Sequence, residues 1–97
     1  ATSEAMAKEL MARGRSPSEA ASREERISRV QQALEELRPL DREIISLRNF
    51  EGLTNAEAAT VLGLEESAAG SRFFRALRKL RSSLERLGMD MEAGGDE

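Results

Sequence analysis

Over residues 66 to 87 the apolar side chains Ala69, Phe73, Ala76, Leu77, Leu80, Leu84 and Leu87 recur at short, helix-like intervals. At 100° per residue they fall on one stripe less than about 120° wide, which marks an amphipathic helix whose stripe must face a core. The opposite face then carries Ser67, Ala68, Ser71, Arg75, Arg78 and Ser82, with Arg72 and Lys79 on its flank. Between Phe73 and Leu84 every charged residue is basic: Arg75, Arg78, Lys79 and Arg81. This helix is cationic inside a chain whose net charge is −3. Residues 64 to 86 hold six basic and three acidic side chains, residues 1 to 63 hold nine and eleven, and residues 87 to 97 hold four acids and no base. Screening acts over about 8 Å at physiological salt, so a phosphate backbone beside the helix feels the local excess and not the total. A simply solvated helix face has the same composition.

Start and stop signals divide the rest of the chain into helices. Ile27, Val30, Leu34 and Leu37 predict an amphipathic helix from Arg23 to Arg38, ended by Pro39. Leu40, Ile44 and Leu47, with Ile45 and Phe50, carry a second helix to Glu51, where Gly52 supplies a stop. Thr54 with Glu57 three residues on is a capping box, opening a short alanine-rich helix to about Leu62. Gly63 interrupts it, and the last helix closes at Gly88. No alternation of period two survives, so the fold class is all-α: a small four-helix domain over residues 23–88 containing a helix-turn-helix. Residues 1–22 read as a linker or N-terminal extension, partly helical or flexible. In it Met6, Leu10 and Met11 mark a weak helix stopped at Gly14, and Ser16-Pro17-Ser18-Glu19 carries a further cap signal. Residues 89–97, rich in Gly and acid, read as a flexible tail.

Composition removes several chemistries. The chain has no cysteine and no histidine, which excludes a disulfide framework and a Cys/His zinc site. Its three aromatic residues are all Phe, a poor stacking platform for single-stranded nucleic acid. No window approaches the roughly 18 apolar residues of a membrane span. Nothing around Lys8 and Glu9 reads as a signal peptide, so a cytoplasmic protein without membrane contact is expected. With Glu24, Glu25, Glu35 and Glu36 on exposed helix faces and no nucleophile beside a base, the chain is not expected to be an enzyme. No metal or cofactor is expected either.

The layout from Thr54 to Leu80 is that of a helix-turn-helix: a short helix, a tight turn at Gly63 and a second helix with a basic outer face. Ala59 is small where the helices approach, and Leu62, Leu64 and Ala69 fill the angle between them. Alanine-rich hairpins in ordinary bundles use Ala and Gly in the same way.

Three stretches carry a resemblance: DREIISLRNFEGLTNAEAATVLGL at 41–64, ESAAGSRFFRALRKLR at 66–81, and SPSEAASREE at 16–25. Residues 33–87 closely resemble region 4 of bacterial RNA polymerase sigma factors, most nearly the extracytoplasmic-function group. LRNFEG at 47–52 resembles that family's leucine-arginine followed by aromatic-x-glycine before the helix-turn-helix, with Asn49 between the two parts. Ser71-Arg72 and Arg75-Ala76 match its Ser-Arg and Arg-Ala steps, and the 16–25 stretch looks like the linker between regions 2 and 4. Region 2 has no counterpart here. The resemblance implies that the last helix reads the promoter −35 element in the major groove of duplex DNA. It also implies that apolar surface docks on the β flap of RNA polymerase core, with an anti-sigma factor as a further partner.

Carried over residue by residue, the groove-facing candidates are Ser67, Ala68, Ser71, Arg72 and Arg75, followed by Arg78 and Lys79 toward phosphates or flanking protein. Thr54 and Asn55 begin a helix whose positive end can hold a phosphate, or merely caps itself. Two positions depart from the family pattern: Glu65 stands where Ser or Thr commonly caps the recognition helix, and Gly70 where Lys or Arg often follows. Arg48 is expected to brace the domain by pairing with Glu51 or Glu57, and Leu47, Phe50 and Leu53 to serve the core first and the flap second. The competing readings are a helical protein-interaction domain, docking on the flap or an anti-sigma factor, and a response-regulator-type helix-turn-helix regulator.

Overall fold

Several helices begin on a local chemical signal. The computed structural model describes residues 2–13 and 22–88, and no strand occurs among them. Ser22 starts α2 (Arg23–Glu35) through a capping box: its hydroxyl accepts from the Glu25 N–H, and the Glu25 carboxylate accepts from the Ser22 N–H. Pro39, which the sequence places at the end of this helix, instead stands at the first position of α3 (Pro39–Ile45). Proline is tolerated there because that N–H has no intrahelical partner to lose. The exposed carbonyls at the end of α2 are taken by Arg42 from α3, whose Nη1 donates to Leu34 O at 3.1 Å and Leu37 O at 3.2 Å.

α3 runs on into a π-helical turn, Ser46–Phe50, closed by the Glu51 N–H on the Ser46 carbonyl at 3.0 Å. The capping box of Thr54 and Glu57 opens α4 (Asn55–Leu62) as expected, and α5 spans Glu66–Arg86. Residues 23–88 thus hold the four expected helices. A further helix, α1 (Ser3–Arg13), precedes them and packs on α2. It carries more of the core than its thin apolar stripe suggests, because Met6 and Ala7 are both fully enclosed. Gly14, the Ser16–Glu19 cap signal and the acidic tail lie outside the described residues.

α2, α3 and α4 all pack on α5, which is the axis of the domain. Its stripe behaves as the periodicity predicts at Ala69, Phe73, Ala76, Leu80 and Leu84, all buried against Leu34, Ile44 and Ile45. Leu77 and Leu87 correct the expectation: they are only partly buried, Leu77 on the flank of the stripe and Leu87 at the C-cap, where the helix ends. Arg86 of α5 pairs with Glu36 and ties the far end of α5 to the end of α2.

Candidate nucleic-acid interface

Gly63 makes the turn between α4 and α5 with φ 72° and ψ 32°, left-handed values that an L side chain rarely adopts. The Leu64 N–H returns to the Ala59 carbonyl at 2.9 Å and the Gly63 N–H to the Thr60 carbonyl at 3.3 Å, the two bonds of a Schellman turn. Ala59 and Ala69 are buried where the helices meet, so a larger side chain at either would separate them. α5 then begins at Glu65, whose side chain makes no capping bond. A different residue supplies the missing fixation. Asn55, at the start of α4, donates its Nδ2 to the Glu66 carbonyl at 2.9 Å.

Behind Asn55 stands Arg48, and it pairs with neither of the glutamates expected. Its Nη1 lies 3.5 Å from Asn55 Oδ1, and its guanidinium lies over the Phe73 ring, 4.6 Å from the centroid. Arg48 is therefore a brace, as anticipated, but it acts through an amide and an aromatic face. Asn55, whose backbone N–H is the candidate for phosphate contact, has its side chain committed to Arg48 and the Glu66 carbonyl within the chain. At Thr54 the hydroxyl and the N–H are both consumed by the capping box, and the Glu57 carboxylate adds negative charge where a phosphate would approach.

Arg72 is likewise engaged. Its Nη1 donates to Asp41 Oδ1 of α3 at 3.1 Å, with the Asp41 side chain only 13% exposed. This pair holds α3 against the first half of α5.

The other candidates share the open face of α5. Ser67, Ala68, Ser71, Arg75, Arg78 and Lys79 are all exposed. Arg75 directs Nε to the Ser71 carbonyl of its own helix at 3.4 Å, and among the described residues no acid pairs with Arg75, Arg78 or Lys79. Arg81 approaches Glu85 at 3.8 Å, an exposed pair of little energetic weight. From Ser67 to Arg78 the helix advances roughly 16 Å, comparable with the width of about 12 Å of a B-DNA major groove.

Phe74 also belongs to this face, although it is not among the candidates that the resemblance supplies. It is 61% exposed, and by helical angle it lies within about 60° of both Ser71 and Arg78. A phenylalanine held in water on a cationic face offers an apolar edge to a partner, such as a thymine methyl. The adjacent pair Phe73-Phe74 contained the signal: Phe73 lies on the inward stripe of α5, and Phe74, about 100° further round the helix, falls outside it.

Together these features define a helix-turn-helix domain with an open, cation-bearing second helix. The family model described as sigma-70, region 4 matches residues 27–80, more than half of the chain. The chain belongs to that family, whose domains bind DNA in transcription initiation, contact promoter DNA and RNA polymerase, and are not catalytic. No curated protein and no solved structure matches it. Among the described residues no group of acidic side chains is placed to hold a metal ion, and no helix is long and apolar enough to cross a membrane.

Proposed function

We propose that this domain reads the −35 element of promoters as region 4 of an extracytoplasmic-function sigma factor, working in the cytoplasm with RNA polymerase core. The observation that carries the reading is the open face of α5, where Arg75, Arg78 and Lys79 have no acidic partner among the described residues and stand with small Ser67, Ala68 and Ser71. Small residues let the helix backbone approach the base edges. Arg75 can reach guanine O6 and N7 in pairs, Ala68 and Phe74 can meet thymine methyls, and Arg78 and Lys79 suit phosphates. Arg72, Asn55 and Thr54 serve this face indirectly, by fixing where α5 points. Leu53, half-buried, and Phe50, packed at the margin of the core, are the residues we assign to the β flap or an anti-sigma factor, since Leu47 lies in the core.

The test is selection of duplex DNA from a randomised pool by the chain, followed by titration of the selected duplex. Replacing Arg75 with Ala should weaken that duplex by about 1–3 kcal/mol while helicity stays unchanged. Replacing Lys79 with Ala should weaken all duplexes alike and reduce the salt slope by about one. An Arg75→Ala chain that selects and binds the same duplex equally well removes α5 from the site.

A further inference from the structure

Two ion pairs pin the connection between α2 and α3 along one flank of α5. Glu36, at the end of α2, pairs with Arg86, and Asp41, in the first turn of α3, accepts from Arg72 Nη1 at 3.1 Å. By helical angle Arg72, Arg75, Lys79 and Arg86 fall within about 60° of one another on α5. The chain from Glu36 to Asp41 therefore runs beside this flank, from the level of Arg86 back to that of Arg72. Arg75 and Lys79, between the two paired arginines, have no acidic partner among the described residues.

Arg38 lies in the middle of that connection. Pro39 keeps the residue before it out of the helix, so the Arg38 backbone is extended at φ −65° and ψ 151°, and its side chain caps nothing. It is exposed, and among the described residues no acid pairs with it. The acids beside it in the chain are already used: Glu36 on Arg86, Asp41 on Arg72, and Glu35 as acceptor for Gln31 Nε2 at 3.2 Å. Glu43 is about 200° round α3 from Asp41 and so faces away from α5. Arg38, Arg75 and Lys79 thus form a cationic flank whose nearest acids are spent on other residues.

A helix seated in a major groove has a phosphate strand along each flank, and a groove about 12 Å wide keeps both strands within reach of long side chains. We propose that Arg38 is a further DNA-contacting residue: with Lys79 it holds a phosphate of the strand bordering the groove on this flank. The interface then extends off the helix-turn-helix onto the connection between α2 and α3. This inference rests on the DNA-binding reading above. The contact carries no base information; it fixes the register and depth at which α5 sits in the groove.

The experiment titrates a labelled mixed-sequence duplex with the unaltered chain and with Arg38→Ala, Arg38→Lys and Arg23→Ala. Arg23 is also exposed, but it starts α2, roughly 20 Å along that helix from Glu36, so its loss matches the change in net charge away from this flank. Arg38→Ala should bind about five- to tenfold more weakly at 0.1 M salt, with a salt slope lower by about one, as for one lost phosphate contact. Arg38→Lys should stay within about twofold of the unaltered chain, because a phosphate can be held by a point charge. Arg23→Ala should also change affinity less than about twofold, since screening removes a charge that far away. Equal affinity of Arg38→Ala and the unaltered chain, an equal loss in Arg23→Ala, or a loss in Arg38→Lys as large as in Arg38→Ala overturns the proposal. The second readout replaces each phosphate of the selected duplex in turn by a neutral methylphosphonate. At one position the unaltered chain should weaken and Arg38→Ala should not; if every position weakens both alike, the contact is absent. A chain that binds no duplex at low salt defeats the DNA reading and Arg38 with it, whereas a chain that binds as well without the Arg38 guanidinium defeats this inference alone.

Discussion

Asn55 Nδ2 donates to the Glu66 carbonyl at 2.9 Å, joining the first turn of α4 to the first turn of α5 across the helix-turn-helix. The bond does what a capping side chain at Glu65 does not, since it fixes the start of α5 from a neighbouring helix. Replacing Asn55 with Ala should therefore lower stability by about 0.5–1.5 kcal/mol, the net worth of a hydrogen bond whose exposed partner can turn to water. Urea denaturation followed by circular dichroism measures it. An unchanged midpoint would show that Gly63 and the buried alanines set the turn unaided.

Arg72 and Arg75 lie three residues apart on α5 and should fail differently. Arg72→Ala leaves Asp41 without its partner at 13% exposure. That pair lies between an exposed bridge, worth about 1 kcal/mol or less, and a buried one, where removing one partner costs about 3–5 kcal/mol. A loss of about 1–2 kcal/mol is expected. Arg75→Ala should leave stability within about 0.5 kcal/mol, as for other surface positions. Melting curves of the two variants, run beside duplex titrations, separate the brace from the reader; equal destabilisation by both would contradict the assignment.

Gly70 lies inside α5, where a Cβ would meet Asn55 Nδ2 at 3.5 Å, an ordinary contact. Gly70→Ala should therefore gain close to the full helix-propensity difference, about 1 kcal/mol. A raised melting temperature is the expected result. A lowered one would mean that the Asn55 clamp requires a closer approach than the added methyl permits.

The edge and the centre of the α5 stripe should differ in energy. Leu84 is 1% exposed, and its replacement by Ala should cost about 2–5 kcal/mol. Leu77, half-buried at the rim, should cost less than half as much, because the vacated space opens to solvent and leaves no enclosed void. Chemical denaturation of the two variants gives the comparison directly. Equal losses would move Leu77 into the core.

Helix positions, the two helical stops at Gly52 and Gly63, and the inward stripe of α5 were legible because they depend on backbone chemistry and periodicity, which are local. The Ser22–Glu25 capping box is equally local, since Ser and Glu three residues apart are enough to form it. The partners of Arg48, Arg72 and Asn55 were not legible, because Phe73, Asp41 and Glu66 reach them only through the crossing of three helices. Nor was the weight of α1, whose short apolar stripe gives no sign that Met6 is enclosed by α2 and the shared core. From sequence alone, then, follow the helices, their caps and a cationic outer surface, since each is written within a few residues. Only the packing decided which polar side chains are spent holding α5 in place and which are left open to a partner, because a side chain's availability depends on neighbours far away in the chain.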